Sequence, residues 1–263
     1  MIGRLAFVPA AAAALLVVAG TVLPLVVRAE MWRTRMPRAQ RRRDVLGWTA
    51  AAAVLNQVVG LRSGDVLRVA IAARTGGLTT GAGSVATFRA AEFAGMVLFG
   101  AVAAASVLSR GRAALTAAAA ALALAAAGFA VTRLRAGSPR LADVPARRAL
   151  VLVAGAVALP ALEMPTVLGV GLALGEPIGV ADAALLVAAA AVGQVLAFLP
   201  ANAGTTEAAL AAALALTGRD GAALWFLPLW IHVARVGAAV LLAPLALPHL
   251  PLMELKSWLI ARR

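Results

Sequence analysis

The 263-residue chain has no cysteine, which excludes disulfides, iron–sulfur clusters and zinc–thiolate centres. Histidine is almost as rare. His232 and His249 are the only two, and neither has a partner at metal-ligand spacing. There is no Gly-x-Ser-x-Gly elbow and no phosphate-binding P-loop, so ATP-driven work by this chain alone is not expected. No set of nucleophile, base and metal stands out. The chain does not read as an enzyme and implies no cofactor. Lys256 is the only lysine, and the remaining cations are arginine, a pattern that reads as codon bias. Acids are few: 11 stand against 24 basic side chains, for a net charge of +13.

Apolar residues are abundant. They make up 63% of the chain, with a mean hydropathy of +0.94, whereas an ordinary soluble domain is about half apolar. Several windows of roughly 20 residues carry almost no charge, the length a helix needs to cross a hydrocarbon core of about 30 Å. The alanine runs do not alternate as barrel strands would. The expected fold class is therefore an all-α polytopic membrane protein with about seven apolar segments: 5–27, 45–61, 83–109, 113–132, 149–174, 181–199 and 221–247. The first lacks a small-residue cleavage site and reads as a retained helix, not a signal peptide. The tail, 248–263, is amphipathic and suits the membrane surface. Trp225, Trp230 and Trp258 read as interfacial anchors.

The arginines cluster between these segments. Seven lie in 28–44 and five in 133–148, and the tail adds three cations. That spacing fits cytoplasmic loops near anionic headgroups, not nucleic acid. It puts both basic loops and the C-terminus in the cytoplasm and the N-terminus outside the cell membrane.

This orientation makes a parity demand. The chain after residue 45 must enter the membrane and return, turning at Ser63-Gly64-Asp65. The stretch 181–218 must do the same from the other side, turning at Pro-Ala-Asn-Ala-Gly, 200–204. After each turn an acid is followed ten and eleven residues later by Thr-Gly: Asp65 with Thr75-Gly76, Glu207 with Thr217-Gly218. A long span then carries a polar pair three apart on one helix face: Arg89 with Glu92, and His232 with Arg235. This is the pattern of an inverted-topology repeat whose broken helices meet at a substrate site. The single domain 1–263 divides into a first helix and basic loop (1–44), two halves (45–132 and 149–247) around the second basic loop (133–148), and the tail (248–263). Charge at membrane depth is costly and marks function. The N-termini of short re-entrant helices suit an anion, and a lipid phosphate is the natural one.

"VVRAEMWRTRM" (26–36), "RSGDVLRVAIAAR" (62–74), "FRAAEFAGMVL" (88–98), "LEMP" around Glu163 and "LPANAGTTEAALAAALALTG" (199–218) stand in a telling order. Through them the chain resembles, over nearly its whole length, the lysylphosphatidylglycerol synthase transmembrane family. These are flippase-like membrane proteins that include the flippase domain of the multiple peptide resistance factor. The resemblance matches Arg68, Arg89, Glu92 and Glu207 to family positions. Asp65 stands where Glu is usual and His232 where Arg is usual, with Arg235 one turn on. Pro200-Ala201-Asn202 replaces Pro-Gly-Gly, with Asn202 suited to a left-handed glycine position. Thr206 replaces an Arg. The family's usual first helix is missing, through truncation or because another subunit fills its place. No aminoacyl-transferase domain follows.

The candidate substrate-binding residues are thus Asp65, Arg68, Arg89, Glu92, Glu163, Asn202, Glu207, His232 and Arg235. Each has a plainer reading. Asp65 and Arg68 could form a water-screened loop pair, and Arg89 and Glu92 could be interfacial. Glu163, between Pro160 and Pro165, could be a protonated carboxyl on a freed carbonyl. Glu207 could simply cap its helix, and His232 could be a polar interface residue. The leading functional expectation is a transporter moving an anionic phospholipid or polyprenyl-phosphate-linked lipid between leaflets. The competing one is a non-transporting membrane subunit that scaffolds a lipid-modifying or glycosyl-transferring enzyme. An oligomer is compatible with either. The cysteine-free background allows a direct topology test. A Gln40→Cys variant should react with an impermeant maleimide only from the cytoplasmic side, and external labelling would reverse the orientation.

Overall fold

The computed structural model describes residues 2–36, 39–59, 62–108, 146–195, 204–219 and 223–246. Among these residues it is entirely helical, with eight helices and no strand: α1 Ile2–Arg35, α2 Arg42–Val58, α3 Ser63–Gly76, α4 Leu78–Leu108, α5 Ala146–Leu174, α6 Val180–Val195, α7 Thr205–Leu216 and α8 Ala223–Ala246. Segments in α1, α4, α5 and α8 are long and apolar enough to cross a membrane: Ala10–Arg35, Leu78–Ala104, Arg147–Leu174 and Leu224–Pro244. Helices α6 and α7 are apolar but shorter. The apolar segment 113–132, most of the second basic loop, the turn at 200–203 and the tail lie outside the described residues.

Two boundaries differ from expectation. The stretch 28–44 was expected to be a loop, yet α1 runs on through Arg35. Met31 and Trp32 are fully buried there, so core packing extends the helix past the end of the apolar run. It stops just short of Met36-Pro37 in the sequence, where the residue before a proline disfavours the helical backbone. Helix α4 begins at Leu78 rather than Gly83, which puts Arg89 and Glu92 three turns into it. Glu92 is buried within the bundle.

Helix α1 packs along α5, α3 on α4, α6 on α7, and α2 on α8. Two large apolar cores result, beside a small third cluster around Leu25, Ala50 and Ala51. One gathers Trp32, Val45, Ile71, Phe88 and Leu159. The other gathers Met96, Val167, Leu186, Leu210 and Ile231. Two residues link sequence period to this arrangement. Phe88, Glu92 and Met96 succeed one another at i, i+4 and i+8 on α4, and Leu159, Glu163 and Val167 do so on α5. Residues so spaced share a helix face. Each acid therefore points inward, between the cores.

Between α2 and α3 the chain turns at Arg62, which has a left-handed backbone with φ of 54°. Ser63 Oγ donates to the Leu55 carbonyl at 2.9 Å, and the Gly64 N–H donates to Asn56 Oδ1 at 2.8 Å. A side chain at Gly64 would collide with the Ala52 carbonyl, and one at Gly95 with the Ala156 carbonyl of α5. The obstacle in both cases is backbone, which cannot rotate away. Gly64→Val and Gly95→Val should each destabilise the protein by at least about 1–3 kcal/mol. Gly237 on α8 has open space around it. Gly237→Ala should be neutral or stabilising by up to about 1 kcal/mol. Thermal unfolding in detergent would check the contrast.

Candidate functional site: a buried arginine–carboxylate chain

The acids at Glu92 and Glu163 need partners, because an unpaired carboxylate between two apolar cores is expensive. Arginines from neighbouring helices supply them. Arg28 of α1 bridges both acids, donating through Nε to Glu92 and through Nη2 to Glu163. Arg235 of α8 donates to the other Glu163 oxygen at 3.0 Å. On α4, Arg89 reaches Glu92 one turn away. It also forks onto Asp65 of α3, with Nε at 2.9 Å and Nη2 at 2.7 Å from Oδ1. Arg68 Nη1 completes the Asp65 pairing at 2.7 Å.

The result is one alternating chain: Arg68, Asp65, Arg89, Glu92, Arg28, Glu163, Arg235. It threads α3, α4, α1, α5 and α8 and has an arginine at each end. Arg62, half exposed, hangs beside Asp65 at 3.8 Å. All these residues line one cavity of about 440 Å³. Among the described residues, five arginines and three carboxylates line it, for a net charge of +2. The rest of the wall is mixed: Asn56, Gln57 and Gln194 bring amides, while Leu25, Phe93 and Leu242 bring apolar surface.

The cations differ in access. Arg28 and Arg89 keep side-chain exposures of 23% and 27%, against 2% for Arg68. The Arg68 guanidinium lies 5.8 Å from the Trp32 ring centre and 5.4 Å from that of Phe88. Such cation–π contacts hold it in place. It lines the cavity but is enclosed, and its nearest polar partner is Asp65. It therefore fixes the carboxylate that in turn orients Arg89. Within the alternating chain, Arg28 and Arg89 are the more open cations.

Six of the expected residues thus come together: Asp65, Arg68, Arg89, Glu92, Glu163 and Arg235. Glu207 and His232 do not line this cavity. They pair with each other across α7 and α8, with His232 Nδ1 3.0 Å from a Glu207 oxygen. The second Glu207 oxygen accepts the Gly204 N–H at 2.7 Å, so the residue caps α7. Asn202 lies outside the described residues. Arg28 joins the six, although the sequence pattern places it in the basic loop. Its signal was there: Thr21, Leu25, Arg28 and Trp32 follow one helical stripe, and Thr21, Leu25 and Arg28 line the cavity.

Comparison with protein-family models, with curated proteins and with solved structures found no match.

What the site can do follows from its own chemistry. Among the described residues no group of His, Cys, Asp or Glu could hold a metal ion. Each cavity carboxylate is already committed to two guanidinium groups, which makes it a poor cation ligand. The cationic excess and the fork geometry of arginine instead favour an anion with several oxygens. Removing one acid should expose that excess. Glu163→Gln strips the shared partner from Arg28 and Arg235 and should cost about 3–5 kcal/mol, as breaking a buried pair does. Glu163→Gln combined with Arg235→Gln should recover part of that loss. Denaturation of the three proteins in detergent tests the coupling, and simple additivity would contradict it.

Proposed function

We propose that this chain is an integral membrane protein that binds an anionic lipid by its headgroup in the arginine-lined cavity and moves it between leaflets. The observation that carries the reading is a net-positive, partly apolar cavity walled by helices of membrane-crossing length. A buried positive excess is costly in a low-dielectric interior and is relieved by a bound anion. A lipid phosphate supplies that anion, and the apolar wall accepts the start of its chains. Large side chains exposed on the outside, such as Leu15, Trp225 and Leu241, support a lipid-facing surface. The resemblance to flippase-like proteins points the same way.

In this reading the α2–α3 and α6–α7 pairs are the two re-entrant hairpins of an inverted repeat, entering from opposite faces of the cell membrane. The loop around Gln40 and the second basic loop are cytoplasmic, and the N-terminus is external. A phosphate arriving beside Arg28 and Arg89 competes with Glu92 for their donors. Such competition loosens the contacts that tie α1, α4 and α5 together. That provides a route from headgroup binding to rearrangement of the bundle, which alternating access needs.

Leaflet exchange of a fluorescent anionic lipid in proteoliposomes tests the proposal. A charge-assisted contact is worth roughly 1.5–3 kcal/mol, or about ten- to a hundredfold. Arg28→Gln and Arg89→Gln should each slow exchange by about that factor, and Arg89→Lys should recover only part. Arg74→Gln, at the exposed end of α3, should change exchange less than about threefold. Exchange by the wild-type protein no faster than in protein-free vesicles would remove the transport claim and favour the scaffolding reading.

A further inference from the structure

Resting on that lipid-binding reading, we infer that the cavity selects a phosphate monoester headgroup over the phosphodiester of ordinary anionic phospholipids. The argument is a charge count. The alternating chain holds four arginines and three carboxylates, which leaves one positive charge. Arg62 stands outside that alternation. It approaches Asp65 at 3.8 Å, but Asp65 is already forked by Arg89 and bonded to Arg68. Arg62 lines the same cavity, so its charge adds to the excess and brings it to two.

A phosphodiester carries one negative charge and would leave half of the excess uncompensated. A monoester has a second pKa near 6 and carries about −1.5 to −2 at pH 7. It also offers three terminal oxygens instead of two. The accessible arginines come from three places: Arg28 on α1, Arg89 on α4 and Arg62 at the start of α3. A headgroup with three terminal oxygens can meet all of them. Leu25, Phe93, Met96 and Leu242 line the same cavity and give the ligand's apolar chain a wall to lie against. That favours a lipid-linked monoester over free phosphate.

The cavity's arginines keep their charge between pH 5 and pH 8. Among the described residues the acids of the cavity are Asp65, Glu92 and Glu163, each contacted by at least two arginines, and no histidine lines it. His232 faces Glu207 elsewhere. Arginine does not lose its proton in this range. A change of affinity with pH that appears for a monoester and not for a diester therefore follows the ligand's second proton.

The test is equilibrium binding by the full chain in neutral detergent micelles doped with phosphatidic acid or with phosphatidylglycerol, from pH 5 to pH 8. Phosphatidic acid should bind about tenfold more tightly at pH 7.5 than at pH 5, equivalent to about 1.4 kcal/mol. Phosphatidylglycerol should show a flat profile. Arg62→Gln should remove most of the slope and of the monoester preference. Glycerol 3-phosphate, the water-soluble monoester, should compete only at far higher concentration. Competition at equal concentration would assign the site to a free phosphate ester and overturn the lipid-linked assignment. Equal affinity for both lipids with flat profiles would overturn the monoester selection and leave anionic-lipid binding standing. An unchanged slope in Arg62→Gln would contradict the charge count. Binding of neither lipid would remove the underlying reading itself.

Discussion

Charge neutralisation inside an apolar bundle is the constraint on which the rest of this structure depends. Glu92 and Glu163 sit at positions that helical periodicity directs into the interior, and Asp65 joins them from the first turn of α3. Each is tolerable there only because two guanidinium groups reach it. Those groups come from helices far apart in sequence: Arg28 and Glu163 are separated by 135 residues, and Arg235 and Glu163 by 72. The polar chain therefore links α1, α3, α4, α5 and α8 where the two apolar cores leave a gap. Hydrophobic packing alone could not specify which helices meet there. Pairing by charge supplies that specificity, because any other register would strand a buried ion.

The same chain is unbalanced. It ends in arginine on both sides, and Arg62 adds a further cation. A structure selected only for stability has no need of this excess, since a buried pair gains nothing from a surplus partner. Under the proposed function a bound anion would offset the excess. The supporting contacts agree with that view. Arg68 is enclosed by Trp32 and Phe88, and so Asp65 is held by a partner that cannot swing away. Arg28 and Arg89 stay partly open. Close approach at Gly64 and Gly95 brings α3 onto α2 and α4 onto α5, which keeps the walls of the cavity narrow.

Much of the helical content was legible in the sequence, because uncharged runs of membrane length have few other uses. Asp65, Arg68, Arg89, Glu92, Glu163 and Arg235 could be picked out as charges interrupting such runs. Their mutual pairing could not, because spacing within one helix does not tell which other helix lies alongside. Arg28 was hidden for a different reason. It sits among the other arginines of 28–43, and local charge density pointed to a loop, whereas burial of Met31 and Trp32 carries the helix past it. His232 and Arg235 show the limit of spacing arguments. Three residues turn a helix by about 300°, so the two side chains diverge by about 60°. That is enough for Arg235 to face α5 and for His232 to face α7.

The central claim is that the cationic excess exists to hold a lipid anion. Native mass spectrometry of the protein extracted gently from its own membrane tests this most directly. The account predicts a retained adduct with the mass of a phosphate-bearing anionic lipid, present on the wild-type protein and largely lost from a variant carrying Arg28→Gln and Arg89→Gln together. A wild-type protein that carries only zwitterionic lipid, or a variant that retains the anionic adduct undiminished, would contradict it.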